Sequence, residues 1–194
     1  VRWTDKINFL SGVLSALEIT DAGAGRLDTD DGFERLKKLI IQIRAGHGSV
    51  FAVGNGASAS MCSHFAADLA KNGRLHTEVF SDLSLITAIS NDMGYDQVFA
   101  EPLRRRGKKG DALVCVSSSG NSPNVIKAIE VASKIGMTVV TLTAMSPDNK
   151  ARKLGDINLY LPAKTYGDAE SSHAVILHYW IDLSLDKTGA KNNA

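Results

Sequence analysis

The chain has 194 residues, 44% of them hydrophobic and 22% charged, with a formal net charge of +1. That balance suits one globular domain with a real core and excludes nucleic-acid binding through bulk charge. The longest apolar runs are only as long as strands, too short to cross a bilayer, and no charged segment precedes an apolar one at the start, so neither a membrane span nor a signal peptide is expected.

Residues 3–20 place Trp3, Ile7, Leu10, Val13, Leu14 and Leu17 on one helical stripe. A helix ahead of the first strand packs either on its own domain or on another subunit. Asp21 to Asp31 is rich in Gly, Asp and Thr and reads as a solvated loop, without the ordered ligand array of a calcium site. Thr29 or Asp30 then caps a second helix, with Phe33, Leu36, Leu39, Ile40 and Ile43 apolar and Gly46 and Gly48 ending it. His47 in that turn reads as a surface residue.

The apolar run 49–53 predicts a buried strand, followed by a helix from about Ser58 to Lys71. On that helix His64 and Asp68 lie four apart, about 40° from one another on one face. Thr77 to Phe80 is a short strand. Ser84 to Ile89 is a strand or a helix, and periodicity leaves both open. Residues 91–95 read as a turn. Asp96 to Arg106 reads as a helix interrupted near Pro102, with Arg104, Arg105 and Arg106 on a solvated face or near a phosphate.

A second core strand is predicted over 111–116, then a helix with Pro123 in its first turn and Gly136 at its end. Residues 137–143 form a β-branched strand. A short helix over 148–154 leads to a strand over 156–161, whose alternation suggests an edge with one wet face. A last helix spans about 168–185, and residues 189–194 read as a disordered tail. Strands and helices alternate, so the fold class is α/β, with a mostly parallel sheet of about five strands. The expected division is N-terminal helices over 1–48, the α/β domain over 49–188 and the tail. Cys62 and Cys115, on a predicted helix and a predicted core strand, read as buried thiols of a cytoplasmic protein.

Two loops stand out. Gly54-Asn55-Gly56-Ala57-Ser58 follows the first core strand, and Ser117-Ser118-Ser119-Gly120-Asn121-Ser122 follows the second. Each precedes a helix. Strand, small polar turn and helix start is where a parallel sheet places its ligand, and free N–H groups with the helix dipole favour an anion. Taken alone, either loop is equally a tight turn or an N-cap. Neither is a Walker A loop or a Gly-x-Gly-x-x-Gly loop. Two such loops point to a phosphorylated small molecule, not to a nucleoside triphosphate or a dinucleotide.

These loops, with His64-Phe65-Ala66-Ala67-Asp68-Leu69 and Asn91-Asp92, resemble the sugar isomerase (SIS) fold, and more narrowly the phosphoheptose isomerases. The similarity runs from about Val50 to Leu185. It implies a phosphosugar aldose–ketose isomerase that converts sedoheptulose 7-phosphate to glycero-manno-heptose 7-phosphate for bacterial surface glycans. It also implies a homotetramer with one zinc ion per site, and neither a nucleic-acid nor a membrane partner.

By position, Asn55, Gly56, Ser58, Asp92, Ser117, Ser118, Ser119, Asn121 and Ser122 would bind the sugar phosphate. His64, Asp68, Glu170 and His178 would hold the metal, and Asp68, His178 and Glu170 would carry the proton. Asp68 stands where the resembled family has glutamate, which shortens the side chain by one methylene. Glu170 stands where it has glutamine, which adds a negative charge. Four N/O ligands still suit a divalent cation, and Glu170 is an alternative base to Asp68. Read from the residues alone, without the resemblance, His64 is a half-buried histidine on an amphipathic helix sooner than a ligand, His178 a packing residue beside Tyr179 and Trp180, Asp68 only an ion-pair partner of His64, and His173 a supporting residue. Two other functions fit the same loops: an isomerase of another phosphosugar, and a non-catalytic SIS protein that binds the replication initiator.

Overall fold

Uninterrupted apolar runs become the central strands, because a strand covered on both faces needs no polar alternation. The computed structural model describes residues 2–23 and 25–185. Its strands are β1 (Glu18–Asp21), β2 (Arg26–Leu27), β3 (Ser49–Gly54), β4 (His76–Val79), β5 (Ala112–Ser117), β6 (Thr138–Ala144) and β7 (Ile157–Leu161). The helices are α1 (Trp3–Ser15), α2 (Thr29–Ala45), α3 (Ala57–Lys71), α4 (Leu83–Met93), α5 (Ala100–Arg106), α6 (Pro123–Ile135) and α7 (Tyr166–Leu185), with 3-10 turns at Tyr95–Gln97 and Ala151–Lys153.

The sheet order is β2-β1-β7-β6-β5-β3-β4. β3 to β7 are parallel, which is the expected sheet of about five strands. From β3 the chain steps outward to β4, then returns to the other side of β3 for β5, β6 and β7. The switch point therefore lies between β3 and β5, where ligands bind open parallel sheets. Both loops singled out in the sequence open there.

One face of the sheet is covered by α2, α3 and α7, with Leu36, Ile40, Phe65, Leu69 and Trp180 at its centre. The Phe65 and Trp180 rings lie 5.1 Å apart and fix α3 against α7. The other face buries Phe51, Leu103, Leu113 and Ile129 beneath α5 and α6. α3 and α7, which carry the candidate site, thus stand on a shared core.

Four expectations are corrected. Residues 18–21 and 26–27 are not helix end and solvated loop but a hairpin, which pairs antiparallel with β7. Its turn is held by the Asp21 carboxylate, which accepts from the Gly23 and Gly25 N–H groups. β7 is consequently internal, with no wet face: Asn158 is buried, accepting from Thr141 Oγ1 at 2.7 Å and donating to the Gly155 carbonyl at 2.8 Å. Residues 91–93 belong to the last turn of α4, which resolves the ambiguous 84–89 segment as helix. The helix expected over 148–154 is a single 3-10 turn. The interruption expected near Pro102 falls just before it, at 98–99, leaving proline in the first turn of α5, where its missing N–H costs nothing. The tail expected over 189–194 lies outside the described residues.

Candidate active site

The two loops meet in a cavity of about 200 Å³, lined by Asn55, Ser58, Val116, Ser117, Ser118, Ser119, Ser122, Tyr166 and Glu170. None of these residues is cationic. The attraction for an anion comes instead from helix ends and hydroxyls. α3 starts at Gly56 with no side-chain cap, and α6 starts at Ser122, also with none. Both helices set the positive ends of their dipoles beside the cavity; the Ser58, Ala59 and Val125 N–H groups are already bonded, to the Asn55 and Gly56 carbonyls and to Asn124 Oδ1, which leaves those of Gly56, Ala57 and Asn124 without a partner among the described residues. The Ser118 hydroxyl is buried and has no hydrogen-bond partner among the described residues. A buried hydroxyl without a partner is costly, and a bound phosphate oxygen would satisfy it.

Two glycines allow this geometry. A Cβ on Gly54 would come within 2.8 Å of Ser58 Cβ and of the Val116 carbonyl, so only glycine lets α3 approach the β3–β5 pair this closely. Gly120 adopts φ +61° and donates its N–H to the Ser117 carbonyl, folding the serine loop back on itself.

Two turns further along α3 and α7 lies the second feature. His64, Asp68 and His178 present ligand atoms that all lie within 4.8 Å of one another. His64 Nε2 is 3.4 Å from Asp68 Oδ2, and the two imidazole rings are 5.2 Å apart. Both histidines are exposed and Asp68 is half-buried. Two imidazoles and one carboxylate with an open side fit a divalent cation that keeps a position for substrate. Beside them a mostly apolar cavity of about 240 Å³ runs between α3 and α7.

Glu170 does not belong to this group. It opens on the serine cavity, and eight residues of α7, about 12 Å of helix, separate it from His178. The structure therefore brings three of the four expected ligands together within one chain and sets the fourth beside the serines. Gly56 contributes backbone at the α3 start. Asn121 does not line the cavity; its side chain braces the loop, donating to the Ser119 carbonyl and accepting from the Lys150 N–H. Asp92 is exposed at the end of α4, bonded by the Asn91 amide, and is not among the lining residues. The arginine run is occupied elsewhere: Arg104 and Arg105 pair with Glu101, whose pKa they lower, and Arg106 pairs with Glu78.

Both cysteines are buried and free; burial raises the Cys62 thiol to about 12 and Cys115 well above its usual value. They are packing groups without nucleophilic character. His173 is also buried, and desolvation pushes its pKa down to about 4, so the ring is neutral. Three residues at the site had no role in the sequence reading. Tyr166 lines the cavity from the first turn of α7. Asn124 and Tyr95 hold Asn55, through hydrogen bonds across 69 and 40 residues of sequence. Nothing in the sequence marks Asn124, because α6 also carries Lys127, Glu130, Ser133 and Lys134 and one more polar residue is no signal.

The SIS domain family matches residues 25–144. A phosphoheptose isomerase from Thiobacillus denitrificans is 32% identical over 183 residues, covering 90% of this chain and 90% of that protein. The chain belongs to the phosphoheptose isomerase family of SIS proteins. A second member, from Helicobacter pylori, is 36% identical over 150 residues, or 74% of this chain and 78% of that protein. The solved phosphoheptose isomerase of Neisseria gonorrhoeae superposes with a TM-score of 0.75 at 34% identity, covering 79% of this chain and 86% of that one. The family match spans both loops and the α3 histidine, and the longest alignment covers nearly the whole chain. No helix among the described residues is long and apolar enough to cross a membrane.

Proposed function

We propose that the protein interconverts D-sedoheptulose 7-phosphate and D-glycero-D-manno-heptose 7-phosphate, as a zinc-dependent homotetramer in the cytoplasm. The observation that carries this reading is the pairing of two features along α3, one where it begins beside α6 and the other where it packs on α7. A cation-free serine cavity at two uncapped helix ends suits a phosphate, and a His/Asp/His group suits a metal. From Ser58 to His64 is six residues of α3, about 9 Å. That span is comparable to an extended seven-carbon sugar phosphate, held by its phosphate at one end and reacting at the other.

Aldose–ketose isomerisation removes a proton from the carbon beside the carbonyl and returns it to the neighbouring carbon. It needs a carboxylate or imidazole within reach of both carbons. His64, Asp68 and His178 are the residues that would hold zinc, which when bound supplies positive charge for the enediolate oxygen. Ser58, Ser117, Ser118, Ser119 and Ser122, with Asn55 and the Gly56 backbone, hold the phosphate through neutral donors. Asp68 and His178 are the proton carriers at the reacting end. Within its own chain Glu170 opens on the serine cavity, at the phosphate end of the substrate, and reaches the reacting carbons as an alternative base only from a neighbouring subunit. It would join the metal only across a subunit boundary. The exposed Trp3 and Ile7 of α1, 76% and 44% accessible, suit such an assembly.

The test is turnover of sedoheptulose 7-phosphate by protein as purified, after chelation, and after zinc is restored. Activity that disappears with chelator and returns with zinc supports the reading. Activity indifferent to chelator removes the metal role. A folded protein inactive in all three states directs attention to another phosphosugar or to a binding function.

A further inference from the structure

Asn55 lines the serine cavity, and what it offers a phosphate depends on which way its amide points. The nitrogen end donates; the oxygen end accepts and repels phosphate oxygens. The orientation is set from outside the cavity. Asn124, in the first turn of α6, is buried, and its Oδ1 accepts from the Val125 backbone N–H at 3.0 Å. A backbone N–H can only donate, so this bond fixes Oδ1 as the inward end of the Asn124 amide. The two side-chain amides then pair reciprocally. Asn55 Nδ2 donates to Asn124 Oδ1 at 3.0 Å, and Asn124 Nδ2 donates to Asn55 Oδ1 at 2.9 Å. The Tyr95 hydroxyl adds a second donor to the same Asn55 oxygen at 3.2 Å.

Both lone pairs of Asn55 Oδ1 are thereby taken. One hydrogen on Nδ2 has no partner among the described residues, on a side chain that lines the cavity. We infer that Asn124 is a positioning residue for phosphosugar binding: it locks the Asn55 amide so that a donor, and not an acceptor, is presented to the phosphate. The pair also ties the loop after β3 to the helix after β5, so the two halves of the anion site keep one spacing. The inference rests on the phosphosugar isomerase reading and assigns a determinant of its substrate affinity.

The test uses Asn124→Asp and Asn124→Leu in the full chain, with KM and kcat for sedoheptulose 7-phosphate, and with inorganic phosphate binding by calorimetry as a readout independent of turnover. Both variants are expected to raise KM roughly ten- to a hundredfold, the loss of a hydrogen bond to a charged group, with kcat little changed. In Asn124→Asp the carboxylate cannot donate to Asn55 Oδ1. Its KM relative to wild type should fall back as acid protonates it and restores the donor, while that of Asn124→Leu should not respond to pH. A purely structural role for Asn124 would not produce that difference. Unchanged KM in a folded Asn124→Asp variant overturns the inference and leaves the isomerase reading standing. Wild-type protein that binds phosphate but turns nothing over, with binding weakened in both variants, supports the lock and overturns the isomerase reading. Equal phosphate binding in all three proteins overturns the lock.

Discussion

His173 ties part of this protein's stability to pH. The ring is 1% exposed, neither nitrogen has a hydrogen-bond partner among the described residues, and burial lowers its pKa from 6.5 to about 4, opposed by a lesser contact with the Thr143 backbone. The folded state therefore keeps the ring neutral, while the unfolded chain takes up a proton below about pH 6.5. In that window the unfolded state binds more protons, so stability falls with pH, beginning near 6.5 and levelling off below about 4. The whole difference is worth about 3 kcal/mol, and at about pH 5 the loss is ~2 kcal/mol. His173→Gln removes the titration without changing formal charge at neutral pH. Urea unfolding of both proteins near pH 7 and near pH 5, followed by the fluorescence of the buried Trp180, isolates the effect. Other titrating groups cancel in the difference between the two proteins. The wild type should lose ~2 kcal/mol more than His173→Gln between those two pH values. Parallel losses in the two proteins would refute the reasoning and mean that water or a polar partner reaches the ring.

Three further outcomes follow from particular contacts. Gly54→Ala places a methyl group within 2.8 Å of the Val116 carbonyl; it should cost about 1–3 kcal/mol in denaturant titration and raise KM by moving the start of α3. His178→Ala removes one of three candidate ligands; zinc affinity by equilibrium dialysis should fall by more than about a hundredfold, with the melting curve of the metal-free protein nearly unchanged. Lys6→Ala leaves the buried Asp168 carboxylate, whose pKa Lys6 and Thr165 lower, without its cation. Because Lys6 itself is 39% exposed, the loss should be about 1–2 kcal/mol, smaller than for a fully buried pair, and visible as a lowered melting temperature.

The parallel core was legible because residues 50–53 and 112–116 are apolar without interruption, and the loops after them because small polar residues between a strand and a helix have few other uses. The hairpin was not. The stripe from Trp3 to Leu17 carries the expected helix on to residue 20, and only pairing with β7, more than a hundred residues away, decides for a strand over 18–21. β7 was misplaced for a related reason: Asn158 looks like a wet-face residue until its amide is found bonded to Thr141 and Gly155. At the site, the serines and the His64–Asp68 pair declare themselves by local pattern. The separation of Glu170 from His178 follows from α7 running unbroken through both, which a resemblance by position conceals. Asn124 could not be read at all, because its partner is brought to it only by the β3–β5 pairing.

The central claim is proton transfer between adjacent carbons of a sugar phosphate held by the serine cavity and the α3–α7 group. The measurement that tests it most directly is isomerisation of sedoheptulose 7-phosphate in deuterium oxide by zinc-loaded protein, with the product analysed by NMR. The account predicts aldoheptose 7-phosphate carrying solvent deuterium at C2, and none formed by the His178→Ala variant. Product without deuterium, or no product from the folded, zinc-loaded protein, would contradict it.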